Sequence, residues 1–278
     1  MSEAFLGAWR VHERVHEAAG GLLGTVRQER RLERAGDRVR VLQDCVLDGD
    51  FRGHPLAAFA GRHVFEVSTD GAARRYHGPA VIGAAETLGA GAMVGAGLWP
   101  ALGLQFTSYA VTVAPDRQLT GGTFHRAGRV VAEVVGLGLQ ARSPDCAWPA
   151  LAPAHAPWTI ASVWEGAHEG GPAVRRAYDG GAGFVETAGP GESVRVRLDG
   201  NGRAAVGEAV GLHRAIGPSL RVVVTGPDGA AIDHLEALDA AGGHLAAIRR
   251  HLCDGRVVRT EVLRLRARPE ARDGRAGR

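Results

Sequence analysis

Phe5-Leu6-Gly7-Ala8-Trp9-Arg10-Val11-His12-Glu13-Arg14-Val15-His16-Glu17 is the stretch on which the fold turns. It contains His12-Glu13-Arg14-Val15-His16, a letter-for-letter HExxH. On a helix, capped by Ser2 and ended by Gly20, the two histidines would share a face roughly 6 Å apart beside a glutamate base, as in a zinc peptidase. On a strand they lie roughly 13 Å apart, too far to share one ion. Gly7 and the β-branched Val11 and Val15 weigh against the helix. The series Trp9-x-Val11-x-Glu13-x-Val15-x-Glu17 has the period of a strand. The longer form HExxHxxGxxH also fails, with Ala19 and Leu22 in its glycine and histidine positions. The strand reading predicts β structure over residues 7–17 with Trp9 and Glu13 on the buried face. His12 and His16 are metal ligands only in the helical alternative.

The rest of the chain has the same grammar. Asp-Gly recurs at residues 48–49, 70–71, 199–200, 228–229 and 254–255, supplying the positive φ angles of tight hairpins. Between these turns lie short β-favouring runs, among them 39–42, 106–113, 130–139, 194–198 and 220–225. Many short strands without long helical patterns imply an all-β protein of antiparallel barrels or half-barrels.

Two segments occur twice, in the same order. Gly36-Asp-Arg-Val-Arg-Val resembles Gly191-Glu-Ser-Val-Arg-Val, and His125-Arg-Ala-Gly-Arg-Val-Val resembles His251-Leu-Cys-Asp-Gly-Arg-Val-Val. A diverged tandem duplication predicts this order, with Gly128 and Gly255 at equivalent turns. The expected organisation is a β domain over 1–142, a Pro/Ala-rich linker over 143–157, a second β domain over 158–268 and an Arg-rich tail over 269–278. On this alignment the first half carries about 28 extra residues, assigned to the Gly/Ala-rich segment 78–103, a lid or a closely packed strand. Its Gly91-x-x-x-Gly95-x-Gly97 lacks the βαβ setting of a nucleotide site. A phase break after Val262 predicts a β-bulge there.

Phe5-Leu-Gly7-Ala-Trp9-Arg-Val resembles the Gly-x-Trp opening of lipocalin-like (calycin) barrels. The resemblance implies a first strand whose tryptophan plugs one end of a barrel. Two such barrels in tandem are similar in layout to the carotenoid hydratases and the lipocalin-fold Diels–Alderases, which implies a small, largely apolar ligand.

On the strand reading Glu13 and Glu17 share the face of Trp9. A carboxyl carried into an apolar barrel can act as a general acid or base, and Glu17, nearer the turn at Gly20-Gly21, is expected to be the wetter of the two. In the second half Trp158, Ile160, Ser162, Trp164, Gly166 and His168 alternate onto one face, making His168 the interior polar group. Ser108 and Tyr109 belong to a polar-aromatic strand suited to orient a ligand. The catalytic candidates are thus Glu13, Glu17 and His168, and the ligand-binding candidates Trp9, Ser108, Tyr109, Ser162 and Trp164.

Composition sets the bounds. All 33 basic residues are arginine, yet the net charge is only +3 and the arginines are scattered, which disfavours a nucleic-acid partner. Cys45, Cys146 and Cys253 form no CxxC, so neither a disulfide framework nor a zinc ribbon is expected. No secretory signal and no membrane-spanning run is visible, which places the protein in the cytoplasm. The combined expectation is a β-barrel that binds a small apolar molecule and acts on it without a cofactor, as a cyclase, isomerase or hydratase. A non-catalytic carrier and the HExxH peptidase are the alternatives. The oligomeric state is not readable from the sequence.

Overall fold

The computed structural model describes residues 5–89, 91–142, 147–151, 161–189, 192–216, 218–239 and 243–268. Its first ten strands are β1 (Gly7–Glu17), β2 (Leu22–Ala35), β3 (Arg38–Gly49), β4 (Gly61–Asp70), β5 (Ala73–His77), β6 (Ile82–Leu88), β7 (Ala92–Trp99), β8 (Leu104–Ala114), β9 (Arg117–Arg126) and β10 (Arg129–Gln140). Each pairs antiparallel with the next, and β10 returns to β1 to close barrel 1. The second ten are β11 (Ala161–His168), β12 (Ala173–Asp179), β13 (Gly183–Ala188), β14 (Glu192–Leu198), β15 (Arg203–Val206), β16 (Ala209–Ile216), β17 (Ser219–Thr225), β18 (Ala231–Asp239), β19 (His244–Cys253) and β20 (Arg256–Ala267). They close barrel 2 through β11 and β20. Two tandem antiparallel meander barrels are the calycin-like architecture that the opening motif implies. No helix among the described residues is long and apolar enough to cross a membrane.

The deciding stretch is a strand. In β1, Trp9, Val11, Glu13 and Val15 are buried on the inner face while Arg10, His12 and Arg14 look outward. The zinc reading fails on this geometry, because His12 and His16 follow one another along an extended backbone. The His12 ring donates from Nδ1 to the Pro149 carbonyl at 2.9 Å, and that of His16 to the Gly20 carbonyl at 3.3 Å. At the seam Gly136 faces Glu13, and a Cβ there would land on the His12 carbonyl and the Glu13 Cα. Only glycine lets the two strands approach this closely.

The duplication is visible in the closing strands. Ala127 and Gly128 both take positive φ (50° and 75°) between β9 and β10, as do Asp254 and Gly255 (50° and 72°) between β19 and β20. The ladder then skips Val131 in one barrel and Val258 in the other, each three residues past its glycine. It arrives in matched register, with Gln140 opposite Trp9 and Ala267 opposite Trp164.

Three expectations are corrected here. The echo beginning at Gly36 opens the third strand of barrel 1, whereas its partner after Gly191, itself outside the described residues, lies on β14, the fourth of barrel 2. The two are turn-then-strand look-alikes. The segment 78–103 is no insertion, since it supplies β6 and β7 of the ten-strand meander; the extra length lies in β1–β3, of 11, 14 and 12 residues against 8, 7 and 6 for β11–β13, and in the β3–β4 connection. Finally, the bulge in β20 is at Val258. Val262 and Leu263 are both buried because the strand has two covered faces: Leu263 and Leu265 fill barrel 2 while Val262 packs between the barrels. Residues 143–146, 152–160 (with Trp158 and Ile160) and 269–278, to which most of the linker and the tail were assigned, lie outside the described residues.

The barrels pack side by side through Val94, Tyr109, Val111 and Leu137 against Ala246, Ile248 and Val262. Arg117 pairs with the fully buried Asp239 at 2.6 Å, and Arg214 with Glu133 at 3.0 Å, across this contact.

Candidate functional site

Trp9, Val11, Glu13 and Val15 follow one another along the interior of barrel 1. Beyond Val15 the barrel is plugged. Phe51, Leu56 and Phe59 from the β3–β4 connection pack with Trp99, Phe106 and Phe124. The Phe59 ring meets Trp99 at 5.2 Å and Phe124 at 5.6 Å, edge to face, a favoured aromatic geometry. A cavity of about 180 Å³ remains inside, lined mainly by apolar side chains. One water needs roughly 10–15 Å³ on this measure, so the space exceeds a solvent site by an order of magnitude.

Glu13 projects into this cavity, 3% exposed. Gln28 Nε2 donates to its Oε2 at 2.5 Å and Thr120 Oγ1 to its Oε1 at 2.7 Å. Arg30 Nε and Nη2 donate to Gln28 Oε1 at 2.9 and 2.7 Å. That contact fixes which end of the Gln28 amide carries the oxygen, so its NH₂ must face Glu13. A polar relay Arg30–Gln28–Glu13–Thr120 therefore runs along the inner wall from β2 over β1 and Gly136 of β10 to β9. Beside it, burial pushes the Cys45 thiol up to about 11, only partly offset by the hydrogen bond from Gln43; this is an inert thiol rather than a nucleophile.

Of the residues named from sequence, Trp9, Glu13 and Ser108 turn their side chains into this cavity, and Tyr109 borders it with its backbone. Tyr109 points outward from β8 into the contact between barrels, with its ring over Gly121. Burial raises its pKa well above the ordinary value, and the Glu13 charge adds to this. Glu17 is exposed at the β1–β2 turn, outside the cavity. Ser162 and Trp164 satisfy each other, indole Nε1 to Oγ at 3.1 Å, with Trp164 in the core of barrel 2. Gln28, Arg30, Gln43, Arg74, Tyr76, Gln118 and Thr120 are polar residues of the cavity that the sequence reading missed. The alternation Val26-x-Gln28-x-Arg30-x-Leu32 carried a signal for the first two.

His168 belongs to a different assembly. Arg176, fully buried in barrel 2, donates to Glu186 from Nη2 at 2.5 Å and from Nε at 3.1 Å, and from Nη1 to Glu236. Tyr178 also donates to Glu236, and His234 Nε2 does so at 3.0 Å. Arg249 donates twice to Glu186 at 3.0 Å and reaches Glu261 at 3.5 Å, while His168 stands 3.6 Å from Glu186. Glu261 also takes Arg259 at 2.7 Å, so three arginines meet three glutamates in this chain, which marks it as a structural clamp. No group of three or more His, Cys, Asp or Glu able to hold a metal occurs among the described residues.

The clamp sets an acid limit. Burial works to raise the pKa values of Glu186 and Glu236, but the Arg176 charge and the hydrogen-bonding neighbours outweigh it and hold both below the ordinary range. Their contribution is present above the unfolded value of about 4.3 and is lost as pH falls through the folded values. Burial lowers the pKa of His234, against the hydrogen bond to Glu236, so below about pH 6.5 the unfolded chain takes up a proton that the folded one refuses. Thermal unfolding should therefore show a Tm that declines gently below pH 6.5 and steeply below pH 4.5. A Tm unchanged between pH 7 and 4 contradicts the clamp.

No family model matches the chain, and no curated protein matches it in sequence. Among solved structures, a protein of unknown function of the DUF3598 family from Nostoc punctiforme is 13% identical, with 95% of this chain and 96% of that one covered at a TM-score of 0.49. An S-type phycobiliprotein lyase from Guillardia theta, 12% identical, covers 51% of this chain with 94% of its own length at 0.38. Kievitone hydratase from Nectria haematococca, 7% identical, covers 96% of this chain with 90% of its own at 0.20. At these scores the double-barrel assignment rests on the closed ladders themselves.

Proposed function

We propose that barrel 1 binds a small, largely apolar molecule, and that Glu13 acts on it as a general base and acid in cofactor-free cyclase, isomerase or hydratase chemistry. The observation that carries the reading is a mostly apolar cavity inside a closed strand ladder, with one carboxylate projecting into it. In barrel 2 the interior carries Leu220, Val222 and Leu245 together with the ion clamp, in which every buried carboxylate already has an arginine partner. In barrel 1 the carboxylate would take a proton from the bound molecule and return it at another atom. Gln28 and Thr120 would hold its two oxygens in place meanwhile.

A second reading, a carrier of the same fold, is favoured by one observation. Both Glu13 oxygens already have donors, an arrangement that serves equally to hold the barrel together.

Binding is tested with a neutral apolar fluorophore titrated into the purified protein. Ser108 faces the cavity opposite Gly122, which offers no side chain, so Ser108→Phe should occupy the space and abolish saturable binding. Unchanged affinity in Ser108→Phe would place the binding site elsewhere. Mass spectrometry of organic extracts of the purified protein then identifies the resident molecule.

A further inference from the structure

The charged residues lining the cavity are one carboxylate, Glu13, and two guanidiniums, Arg30 and Arg74. Arg30 is linked to Glu13 through Gln28. Arg74, on β5 and 2% exposed, has no carboxylate partner among the described residues. Its Nη1 donates to Met93 Sδ at 3.0 Å, its Cζ lies 4.9 Å from the Phe5 ring centroid, and its Nε and Nη2 have no partner among the described residues. A thioether is a weak acceptor, and an uncompensated buried charge is among the costliest arrangements a fold can hold. The Tyr76 hydroxyl, two residues on, reaches only the same Met93 sulfur, at 3.8 Å. The indole Nε1 of Trp9 also lies buried without an acceptor. Every one of these underused groups is a donor.

The second barrel shows what is absent from the first. Arg30 faces Gln43 across β2 and β3, as Arg176 faces Glu186 across β12 and β13. Counted from the equivalent turns at Gly128 and Gly255, Ala110 opposite Thr120 corresponds to Glu236 opposite Ala247. Barrel 2 thus supplies two carboxylates to its arginine, where barrel 1 has an amide and a methyl. On the fifth strand of barrel 2, Ala204 is buried in the core and Val206 packs against it. The corresponding strand of barrel 1 turns Arg74 and Tyr76 inward. Among the described residues, barrel 1 has a buried cation without a carboxylate partner beside its cavity, whereas the buried arginine of barrel 2 is met by Glu186 and Glu236.

We infer that the ligand of barrel 1 is an amphipathic organic acid with one carboxylate. The carboxylate seats on Arg74, with Tyr76 and Trp9 as further donors, and the apolar body extends toward Phe106 and Phe124. One negative charge balances the net +1 of the lining. A planar carboxylate matches the fork of a guanidinium. This specifies the ligand class of the site proposed above and rests on that reading.

Calorimetric titration with decanoate, methyl decanoate and decylamine tests it. Decanoate should bind roughly 10–100-fold more tightly than its ester, the range of a buried charge-assisted contact, and decylamine most weakly. In Arg74→Met the preference for acid over ester should collapse. The ligand-free variant should unfold at the same or a higher temperature than the parent, because a matched apolar side chain replaces an unmatched charge. Tyr76→Phe gives an independent check and should weaken decanoate while sparing the ester. Equal binding of acid and ester by the parent overturns the headgroup assignment alone. Retention of the preference by both variants does the same. Failure of all three molecules to bind overturns the cavity reading and this inference with it.

Discussion

Glu13→Gln is expected to cut turnover of the resident molecule by about 10²–10⁴-fold, the usual cost of removing a general acid or base. Binding should stay close to that of the parent. The amide is nearly isosteric, and its surroundings accommodate it. Its oxygen can accept from the Gln28 NH₂, whose orientation Arg30 fixes, and its NH₂ can donate to the Thr120 oxygen once that hydroxyl rotates. The variant therefore separates chemistry from packing, which Glu13→Leu would not, since it strands two buried donors. The assay uses the molecule recovered by extraction, followed by chromatography of its products. Full activity in Glu13→Gln removes Glu13 from the chemistry and leaves the carrier reading.

Glu236→Ala should be the most damaging single change to stability. Glu236 is fully buried and accepts from Arg176, Tyr178 and His234. Its loss leaves Arg176 with Glu186 as its remaining carboxylate partner and strands a hydroxyl and an imidazole. Breaking a buried ion pair from one side costs about 3–5 kcal/mol, which in a protein of this size lowers Tm by roughly 10 °C. Removing both ends, as in Arg176→Met with Glu236→Leu, should recover most of that loss, because the unmatched charge goes with its partner. A Tm for Glu236→Ala within 2 °C of the parent would contradict the role assigned to the clamp.

The sequence disclosed the fold through β1 and the turns. Trp9-x-Val11-x-Glu13-x-Val15 alternates because one face is core, and the turn at Ala127-Gly128 repeats at Asp254-Gly255 because both hairpins need two residues at positive φ. The interior position of Glu13 was legible for the same reason. Arg74 was not. Ala73-Arg74-Arg75-Tyr76 places two arginines side by side, and only the register with β4 and β6 decides which of them turns inward. His168 was read as a lone interior polar group because its partners Glu186 and Glu261 lie 18 and 93 residues away, a distance no local pattern spans. The strand β20 misled through Val262, since a contact between barrels cannot be foreseen from one strand's alternation.

The closure of each barrel by its own first and last strands has a consequence for synthesis. β1 lacks one of its two neighbours until β10 exists, so a nascent chain carries an open, template-like edge from Gly7 until Gln140 has left the ribosome. Barrel 1 can then close alone, about half a chain before β20 is made to seal barrel 2. Translation pauses that hold the chain short of β10 would prolong the aggregation-prone interval, and pauses just beyond it would give the first barrel time to form before the second begins.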